Sequence, residues 1–143
     1  MLVAKKVILV GCGRLGAGLA ERLSDEGCHV IIVDTDKTAF RRLPDNYSGF
    51  EITGDGTDME ILKSAEIEEV DKLIAVTGDD NTNSLIAQIA RKIFSVKDVC
   101  IRVHDESKKE LVSDMGISVV CPKLLAMDEF SRLISSGDKI AEE

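Results

Sequence analysis

The chain has 143 residues, of which 44% are hydrophobic and only two are prolines, and this composition suits one globular domain with its own core. A formal net charge of -8 argues against general nucleic-acid binding, which needs a clustered surface of lysine and arginine. No apolar run approaches the roughly 20 residues that cross a bilayer, and the N-terminus shows no signal-peptide cleavage site. We therefore expect one cytoplasmic domain, with no second domain and no direct membrane insertion.

Six short β-branched runs are predicted as strands, separated by five longer stretches that are candidate helices. The strands are KVILV (6–10), HVIIVD (29–34), GFEIT (49–53), KLIAVT (72–77), DVCIRV (98–103) and SVVC (118–121). Their nearly continuous apolar character is typical of a parallel sheet that is covered on both faces. Right-handed crossovers then predict an α/β, doubly wound Rossmann fold with its six strands in the order 3-2-1-4-5-6.

Capping residues set the expected helix boundaries. The first helix is predicted to start in the glycine-rich loop after the first strand, to bury Leu15, and to end at Gly27. The expected N-caps of later helices are Asp58 or Thr57, then Asp80 or Asn81, then Asp105 or Ser107. A last helix over 123–136, ended by Ser-Gly, carries an apolar stripe of Leu124, Met127, Phe130 and Leu133 or Ile134. This stripe either covers the sheet or contacts another subunit.

The stretch VGCGRLG places three glycines at G-x-G-x-x-G spacing between the first strand and the first helix. Gly11 permits the tight turn, Gly13 lets a pyrophosphate approach the backbone, and Gly16 lets the helix pack closely on the sheet. The unpaired N–H groups at the start of the helix then face the anion. The alternative is a glycine turn that binds no ligand.

Two charged residues refine the expected ligand. Asp34 ends the second strand about 20 residues downstream, where a carboxylate accepts hydrogen bonds from ribose hydroxyls. Its charge would repel a 2'-phosphate, so NAD, ADP or ATP is favoured over NADP. Arg14 is either a phosphate ligand, in its own subunit or across an interface, or an exposed arginine at the start of the helix.

Two further loops follow strands at the sheet edge where ligands of such folds bind. In GDGTD (54–58), Asp55 either accepts a hydrogen bond from an adenine amino group or holds the loop. In TGDDNTN (77–83), Asp79 and Asp80 are either a capping and solvated pair, which is favoured, or ligands of a Mg²⁺ ion that accompanies a nucleotide triphosphate. The candidate cofactor-binding residues are Gly11, Gly13, Arg14, Leu15, Gly16, Asp34, Thr35, Asp55, Gly56, Thr57, Thr77, Gly78, Asp79 and Arg102.

Residues suited to catalysis are few, and no catalytic group or resident metal is predicted. His104 follows the fifth strand and is a candidate acid/base for hydride transfer, although Arg102 and Asp105 beside it equally suit a binding site. The four cysteines form no C-x-x-C pair and are expected to be free thiols. A minimal NAD-dependent oxidoreductase is one candidate function, and a structural adaptor with a degenerate nucleotide site is another.

The blocks GCGRLG, VDTDK, ITGDGTD, AVTGDDNTNSLIAQIARK, IRVHD and MGISVVCPK succeed one another in this order. In this the chain resembles the N-terminal RCK or KTN domain of TrkA-type potassium-uptake regulators. The resemblance covers residues 1–122 as the nucleotide-binding domain and leaves 123–143 as a C-terminal helix and tail, a candidate dimer contact. It implies a cytosolic, non-enzymatic sensor that assembles into homodimers or rings beneath a potassium channel or transporter and gates it.

The same resemblance implies the ligand and its contacts. The ligand would be NAD or NADH, or alternatively ATP, ADP or AMP. The three loop glycines would hold phosphates, Arg14 would reach terminal phosphates, and Asp34 would hold the ribose. Asp55 and Thr57 would border the adenine, Thr77 and Gly78 would line the cleft, and Arg102 would approach the distal half of the nucleotide.

Overall fold

The computed structural model describes residues 5–142, with the side chains of residues 5–136. The strands in this range are β1 (Lys6–Val10), β2 (His29–Asp34), β3 (Phe50–Thr53), β4 (Lys72–Ala75), β5 (Asp98–Arg102) and β6 (Ser118–Val120). The α-helices are α1 (Arg14–Asp25), α2 (Met59–Ser64), α3 (Asp80–Lys92) and α4 (Pro122–Glu142). Short 3₁₀ helices cover Lys37–Arg42, Ile67–Glu69 and Glu106–Met115.

The strands form one sheet in which every neighbouring pair is parallel. Their order is β3-β2-β1-β4-β5-β6, which confirms the predicted Rossmann topology. Ile8 of β1 lies opposite Ile31 of β2 on one side and Leu73 of β4 on the other. The strand order reverses between β1 and β4, so the loops after these strands diverge and leave a crevice at the carboxyl edge.

Both faces of the sheet are buried. Ile8 and Val10 of β1 belong to one core cluster together with Ile86 of α3, whereas Leu9 belongs to the other together with Ala20 of α1. Successive side chains of a strand point to opposite faces, so a strand buried on both faces needs an apolar residue at nearly every position. This explains the continuous apolar runs in the sequence.

The predicted strand boundaries are wrong by one or two residues at four places. β3 begins at Phe50 and not Gly49, and β4, β5 and β6 end early at Ala75, Arg102 and Val120. At the end of β4 the Thr77 N–H donates to the Asn83 side chain instead of to a neighbouring strand. Before β3 the Tyr47 hydroxyl donates to the Val30 carbonyl of β2, beside the position where the ladder would continue.

Two of the five predicted inter-strand helices are 3₁₀ rather than α, those of residues 37–42 and 106–115. Pro44, two residues after the first of them, cannot donate a helical hydrogen bond and prevents its extension. The predicted end of the last helix at Ser136 is also wrong, because α4 continues to Glu142. A single glycine costs a helix only about 1 kcal/mol, which the surrounding helix formers tolerate.

The predicted caps are partly correct. Asp58 caps α2 and Asp105 caps the 3₁₀ helix Glu106–Met115, as expected. Thr57 caps no helix, and Asp79 rather than Asp80 or Asn81 caps α3. The expectation that Leu15 is buried is wrong too: it is 37% exposed, since the buried face of α1 consists of Gly16, Ala17 and Ala20. Gly27 follows α1 with a φ of +91°, as predicted for a helix end.

Helix α4 leaves the body of the domain after its first turn. Leu124 packs against the core, whereas every residue from 125 to 136 is exposed. The exposed set includes Met127, Phe130, Leu133 and Ile134, so most of the predicted apolar stripe does not cover the sheet. In the part of the chain that the structure describes, no helix combines the length and the apolar character needed to cross a membrane.

Candidate functional site

A cleft of about 640 Å³ lies at the carboxyl edge of the sheet, over the ends of β1, β2 and β4. This volume falls within the range of about 300–1,000 Å³ that is usual for small-molecule sites. Ten of the fourteen candidate residues line the cleft: Gly11, Gly13, Asp34, Thr35, Asp55, Gly56, Thr77, Gly78, Asp79 and Arg102. The other four, Arg14, Leu15, Gly16 and Thr57, lie outside its lining.

The structure gives a different reason for the presence of glycine at each of the three loop positions. Gly11 has a φ of +107°, and a Cβ there would lie 2.9 Å from the backbone of Val76 and Thr77. A Cβ on Gly16 would lie 1.8 Å from the Gly11 carbonyl oxygen, so only glycine allows α1 to pass this close to the loop. A Cβ on Gly13 would meet no atom within 4 Å, so nothing in the protein itself requires glycine there. Open space at the middle glycine is what the approach of a ligand requires.

The N-terminus of α1 begins at this loop. Its N-cap is Gly13, no side chain caps it, and its first turn contains no acidic residue. The N–H groups of the first turn therefore have no side-chain acceptor among the described residues, and the positive end of the helix dipole is uncompensated. This end of α1 can accept an anion such as a phosphate group.

Asp34 ends β2 and is held by two backbone donors. Its Oδ2 accepts a hydrogen bond of 2.7 Å from the Cys12 N–H, and its Oδ1 accepts one of 2.8 Å from the Asp36 N–H. The carboxylate is therefore fixed between the glycine loop and the segment after β2. Each oxygen keeps a further lone pair, so the group can still accept hydrogen bonds from the hydroxyls of a ligand.

The loop after β3 is organised by Asp55. Its carboxylate accepts hydrogen bonds of 2.8 Å from the Thr57 N–H and the Thr57 hydroxyl, and these two bonds lower the pKa of Asp55. Asp55 therefore holds the loop, one of its two predicted roles, while it also lines the cleft. Gly56 is buried, and a Cβ there would lie 2.6 Å from Val10 on the floor of the cleft.

The loop after β4 is organised from α3. Asp79 accepts hydrogen bonds from the Asn81 N–H and the Thr82 hydroxyl, and it caps the helix. Asp80 points elsewhere: its carboxylate accepts the N–H groups of His104 and Asp105 after β5. Asp79 therefore caps α3, as one residue of the expected capping and solvated pair, whereas Asp80 is not simply solvated but joins the start of α3 to the segment after β5. Among the described residues no cluster of histidine, cysteine and carboxylate side chains has the geometry of a metal site.

The cleft contains two arginines whose charge is not paired with a carboxylate. Arg102 donates from Nη2 to the carbonyls of Val76 and Thr77, at 2.8 Å each, and its buried Nε has no partner among the described residues. Arg42 donates to the Cys12 carbonyl at 3.4 Å. Within the range of side chains described, neither guanidinium forms an ion pair.

The carboxylates of the cleft accept hydrogen bonds from the main chain of their own loops. Those of Asp34, Asp36, Asp55 and Asp79 each accept a hydrogen bond from a backbone N–H nearby. Hydrogen bonds to the ionised form compensate a buried or half-buried negative charge. These four carboxylates also form no ion pair among the described side chains, so the cleft holds unpaired charge of both signs. An anionic group of a ligand suits the two guanidinium groups and the N-terminus of α1.

Comparison with known proteins identifies the family of this chain. A family model described as the TrkA-N domain matches residues 7–122. The chain belongs to the TrkA-N family. The Trk system potassium uptake protein TrkA of Streptomyces coelicolor is 37% identical to this TrkA-N domain, over 92% of this chain and 59% of its own length. A TrkA homolog of Pyrococcus abyssi is 31% identical, over 76% of this chain and 48% of its own. The chain thus spans about half the length of these curated relatives.

Solved structures share the fold of this TrkA-N domain. The TrkA-N domain of the inner membrane protein ybaL from Escherichia coli has a TM-score of 0.81 at 21% identity, covering 93% of this chain and 98% of that one. The NAD(P)-binding domain of an exopolyphosphatase-related protein from Archaeoglobus fulgidus has a TM-score of 0.75 at 26% identity, covering 91% of this chain and 97% of that one.

His104 of this TrkA-N domain lies apart from the cleft, whereas Cys12 is part of the cleft wall. His104 lines a separate depression with Cys121 and Lys123, and not the cleft that holds Asp34 and Arg102.

The four cysteines are free, as expected. Cys12 is fully buried in the cleft wall, and burial, reinforced by the negative charge of Asp34, raises the pKa of its thiol to about 11. Cys12 is therefore an unreactive packing residue at neutral pH.

Ten of the residues that line the cleft are missing from the sequence-based set, Arg42 among them, and so is Asn83, which does not itself line the cleft. Arg42 is in a 3₁₀ helix that has no motif, and nothing in the sequence distinguishes it from Arg41. Asn83 shares one face of α3 with Ile86, Ala87 and Ala90 at helical spacing, and all four are fully buried. An amide on an apolar helix face must find hydrogen-bond partners, so this spacing was a usable signal for Asn83.

Proposed function

We propose that this TrkA-N domain binds NAD(H) or an adenine nucleotide in the cleft and that the bound nucleotide regulates a membrane potassium channel or transporter from the cytoplasmic side. One observation carries the proposal. At a single sheet edge, the uncapped N-terminus of α1, the oriented Asp34 carboxylate and the unpaired Arg102 guanidinium face one cleft. The N-terminus of α1 and the Arg102 guanidinium each suit an anionic group, and the Asp34 carboxylate suits vicinal hydroxyls. A nucleotide offers all of these groups.

The residues present fit such a ligand. The open space at Gly13 and the start of α1 would receive the phosphates, while Asp34 would accept the ribose hydroxyls. Arg102 and Arg42 supply positive charge at two sides of the cleft. A solved relative at 26% identity is itself described as an NAD(P)-binding domain, which supports a nucleotide as the ligand class. The negative charge of Asp34 favours NAD(H) or AMP, ADP and ATP over NADP(H).

Membership of the TrkA-N family and the exposed apolar face of α4 support the regulatory part of the proposal. Curated relatives are Trk system potassium uptake proteins, and we extend that role to this chain. The exposed stripe of Met127, Phe130 and Ile134 suits a contact between subunits, in a homodimer or a higher ring. A ligand shifts such an assembly only by its different affinity for two arrangements of the subunits, a coupling of about 1–3 kcal/mol in typical cases.

An oxidoreductase receives less support from the geometry. Its predicted acid/base, His104, lies in the depression beside Cys121 and Lys123, and its backbone N–H is bound to Asp80. A hydride-transfer acid must come within hydrogen-bond reach of the reacting oxygen. The nucleotide is therefore proposed as a regulatory ligand and not as a redox cofactor.

Isothermal titration of the purified chain with NADH, NAD⁺, AMP, ADP, ATP and NADPH tests the proposed ligand. We expect at least one nucleotide without a 2'-phosphate to bind, and Gly13→Ala to lower its affinity at least about tenfold without loss of stability, since a methyl group there meets no protein atom. Gly18→Ala, on α1 with open space around it, is the matched control and should bind as the wild type does. Absence of binding by every nucleotide would overturn the proposal.

Potassium uptake by cells whose copy of this gene carries the same variants tests regulation. Gly13→Ala should alter the dependence of uptake on the nucleotide identified by titration, and Gly18→Ala should not. Equal uptake by all three strains, with binding intact in the wild type, would separate the ligand from any role in potassium transport.

A further inference from the structure

We propose that Asn83 is a positioning residue of the cleft, which holds the Arg102 guanidinium, through the Thr77 main chain, in the arrangement that the ligand binds. The inference rests on the proposed function, because it concerns how that nucleotide is held. It assigns to Asn83 a role beyond the packing of α3, although Asn83 itself does not line the cleft.

The Asn83 side chain makes four hydrogen bonds while it is fully buried. Its Oδ1 accepts one of 2.9 Å from the Thr77 N–H and one of 2.6 Å from the Thr77 hydroxyl. Its Nδ2 donates one of 3.1 Å to the Thr77 carbonyl and one of 2.9 Å to the Arg102 carbonyl. These bonds use both donors and both acceptor positions of the amide.

The partners of Asn83 allow only one orientation of its amide. The Thr77 N–H can only donate and the carbonyls of Thr77 and Arg102 can only accept, so a half-turn of the amide would leave all three mismatched. A buried amide that is satisfied in one orientation fixes the groups around it, because any displacement leaves unpaired polar atoms in the core. Asn83 thus fixes the loop after β4 relative to the last residue of β5.

Arg102 closes the network from the other side. Asn83 binds the main chain of Arg102, and Nη2 of Arg102 binds the main-chain carbonyl of Thr77, which Asn83 also holds. The guanidinium is therefore anchored by carbonyls alone, and its positive charge is not consumed by a carboxylate. A cation anchored in this way is oriented before the ligand arrives, which reduces the entropy lost on binding.

The alternative is that Asn83 only stabilises the fold, as most buried amides do. The two roles differ in one respect. If Asn83 acts through Arg102, removing Asn83 weakens nucleotide binding only while the Arg102 side chain is present. If it acts on the fold as a whole, the loss is the same with or without that side chain.

A double-mutant cycle distinguishes the two. We expect Asn83→Ala to weaken the nucleotide affinity of the folded protein about tenfold, and to weaken it less than about twofold in an Arg102→Ala background. Asn81→Ala is the matched control, since Asn81 is exposed on the same helix and its amide oxygen accepts from Lys108. Unfolding by denaturant is measured for each variant, so that affinities are compared for the folded fraction.

A second readout needs no ligand. The Nε–Hε signal of Arg102 in a nitrogen-proton correlation spectrum is assigned by its loss in Arg102→Ala. It should be sharp in the wild type and in Asn81→Ala, and broadened or shifted in Asn83→Ala. Should Asn83→Ala fail to fold, Thr77→Val replaces it in both measurements. This substitution removes the 2.6 Å bond to Oδ1 and also the two 3.3 Å hydrogen bonds between the Thr77 hydroxyl and the main chain of Asp79.

An equal loss of affinity in both backgrounds, or an unchanged Arg102 signal in the folded variant, would overturn the positioning role while leaving nucleotide binding intact. Absence of nucleotide binding by the wild type is a different failure. It removes the proposed function itself, and the role of Asn83 with it.

Discussion

The Asp34 carboxylate at the end of β2 accepts a 2.7 Å hydrogen bond from the Cys12 N–H in the loop that follows β1. Two neighbouring strands are thereby joined at their carboxyl ends by one side chain. The Asp36 N–H holds the second oxygen, so the carboxylate cannot rotate away from the cleft without losing both bonds. This fixed negative charge bears directly on which nucleotides the cleft accepts.

Replacing Asp34 by asparagine should change the preference among nucleotides. Asp34→Asn removes the charge and one acceptor, so we expect about a tenfold loss of NADH affinity and a smaller loss, or a gain, for NADPH, whose 2'-phosphate the charge repels. Titration with both nucleotides measures the ratio. Asp25→Asn, exposed at the end of α1, is the control. An unchanged NADH to NADPH ratio would contradict the role assigned to Asp34.

Two glycines of the same helix should respond to alanine in opposite directions. In Gly16→Ala the new methyl carbon would lie 1.8 Å from the Gly11 carbonyl oxygen, a backbone contact that only a shift of α1 relieves. We expect the free energy of unfolding to fall by about 3 kcal/mol. In Gly18→Ala the new carbon meets no atom within 4 Å, and the helix propensity of alanine should add about 1 kcal/mol. Denaturant unfolding measures both, and a tolerated Gly16→Ala would refute the close approach.

Sequence patterns predicted those features of the site that depend on neighbouring residues. The strand-loop-helix order, the three glycines and Asp34 are local, so their positions at the sheet edge follow from the parallel topology. The sequence did not decide which residue caps α3, because Asp79, Asp80 and Asn81 are all suitable cap residues. The tertiary structure decides which of them caps the helix. Asp80 accepts hydrogen bonds from the N–H groups of His104 and Asp105 after β5, so Asp79 is the residue that caps α3.

The remaining misses have similar physical reasons. Arg42 enters the cleft only because the 3₁₀ helix Lys37–Arg42 turns its end toward Cys12, and such a short helix has no periodic signal. The apolar stripe of α4 reads the same in sequence whether it packs on its own sheet or on another subunit. Only the exposure of Phe130 and its neighbours in the folded chain separates the two interpretations.

Arg42 should contribute to ligand affinity although no motif contains it. Its guanidinium lines the cleft and forms no ion pair among the described residues, so a bound anion would gain a charge-assisted hydrogen bond. We expect Arg42→Ala to weaken nucleotide binding about fivefold, and less so at high salt. Arg41→Ala, adjacent in the chain but outside the cleft lining, should have no effect. Equal effects of the two substitutions would leave only a general influence of positive charge.

Stability at low pH should depend on Asp80. Although burial raises its pKa, the hydrogen bonds from the Asp105 and His104 N–H groups lower it below the ordinary value of 3.8. A lowered folded-state pKa means that the contribution of the carboxylate to stability is complete above the ordinary pKa and is lost as the pH falls through the folded-state pKa. Asp80→Asn should therefore cost about 1 kcal/mol at neutral pH and flatten the loss of stability between about pH 5 and pH 3.

Unfolding free energies of the wild type and Asp80→Asn, measured across this pH range, test the point. Asp45→Asn, an exposed position outside these loops, provides the control for removing one negative charge. A difference between the wild type and Asp80→Asn that persists unchanged to the lowest pH would show that the charge of Asp80 does not matter.

The exposed stripe of α4 should set the oligomeric state. Phe130 is 67% and Ile134 65% exposed in the single chain, whereas burying each such side chain in a contact is worth about 1.5–3 kcal/mol. We expect the wild type to be a dimer or larger by light scattering and sedimentation, and Phe130→Glu to shift it toward the monomer. Because Phe130 makes no contribution to the core of its own subunit, the variant should keep the wild-type secondary structure.

Ser131→Glu adds the same charge to the next position of the helix and should leave the assembly intact. If the wild type is monomeric at its highest soluble concentration, α4 does not form the subunit contact.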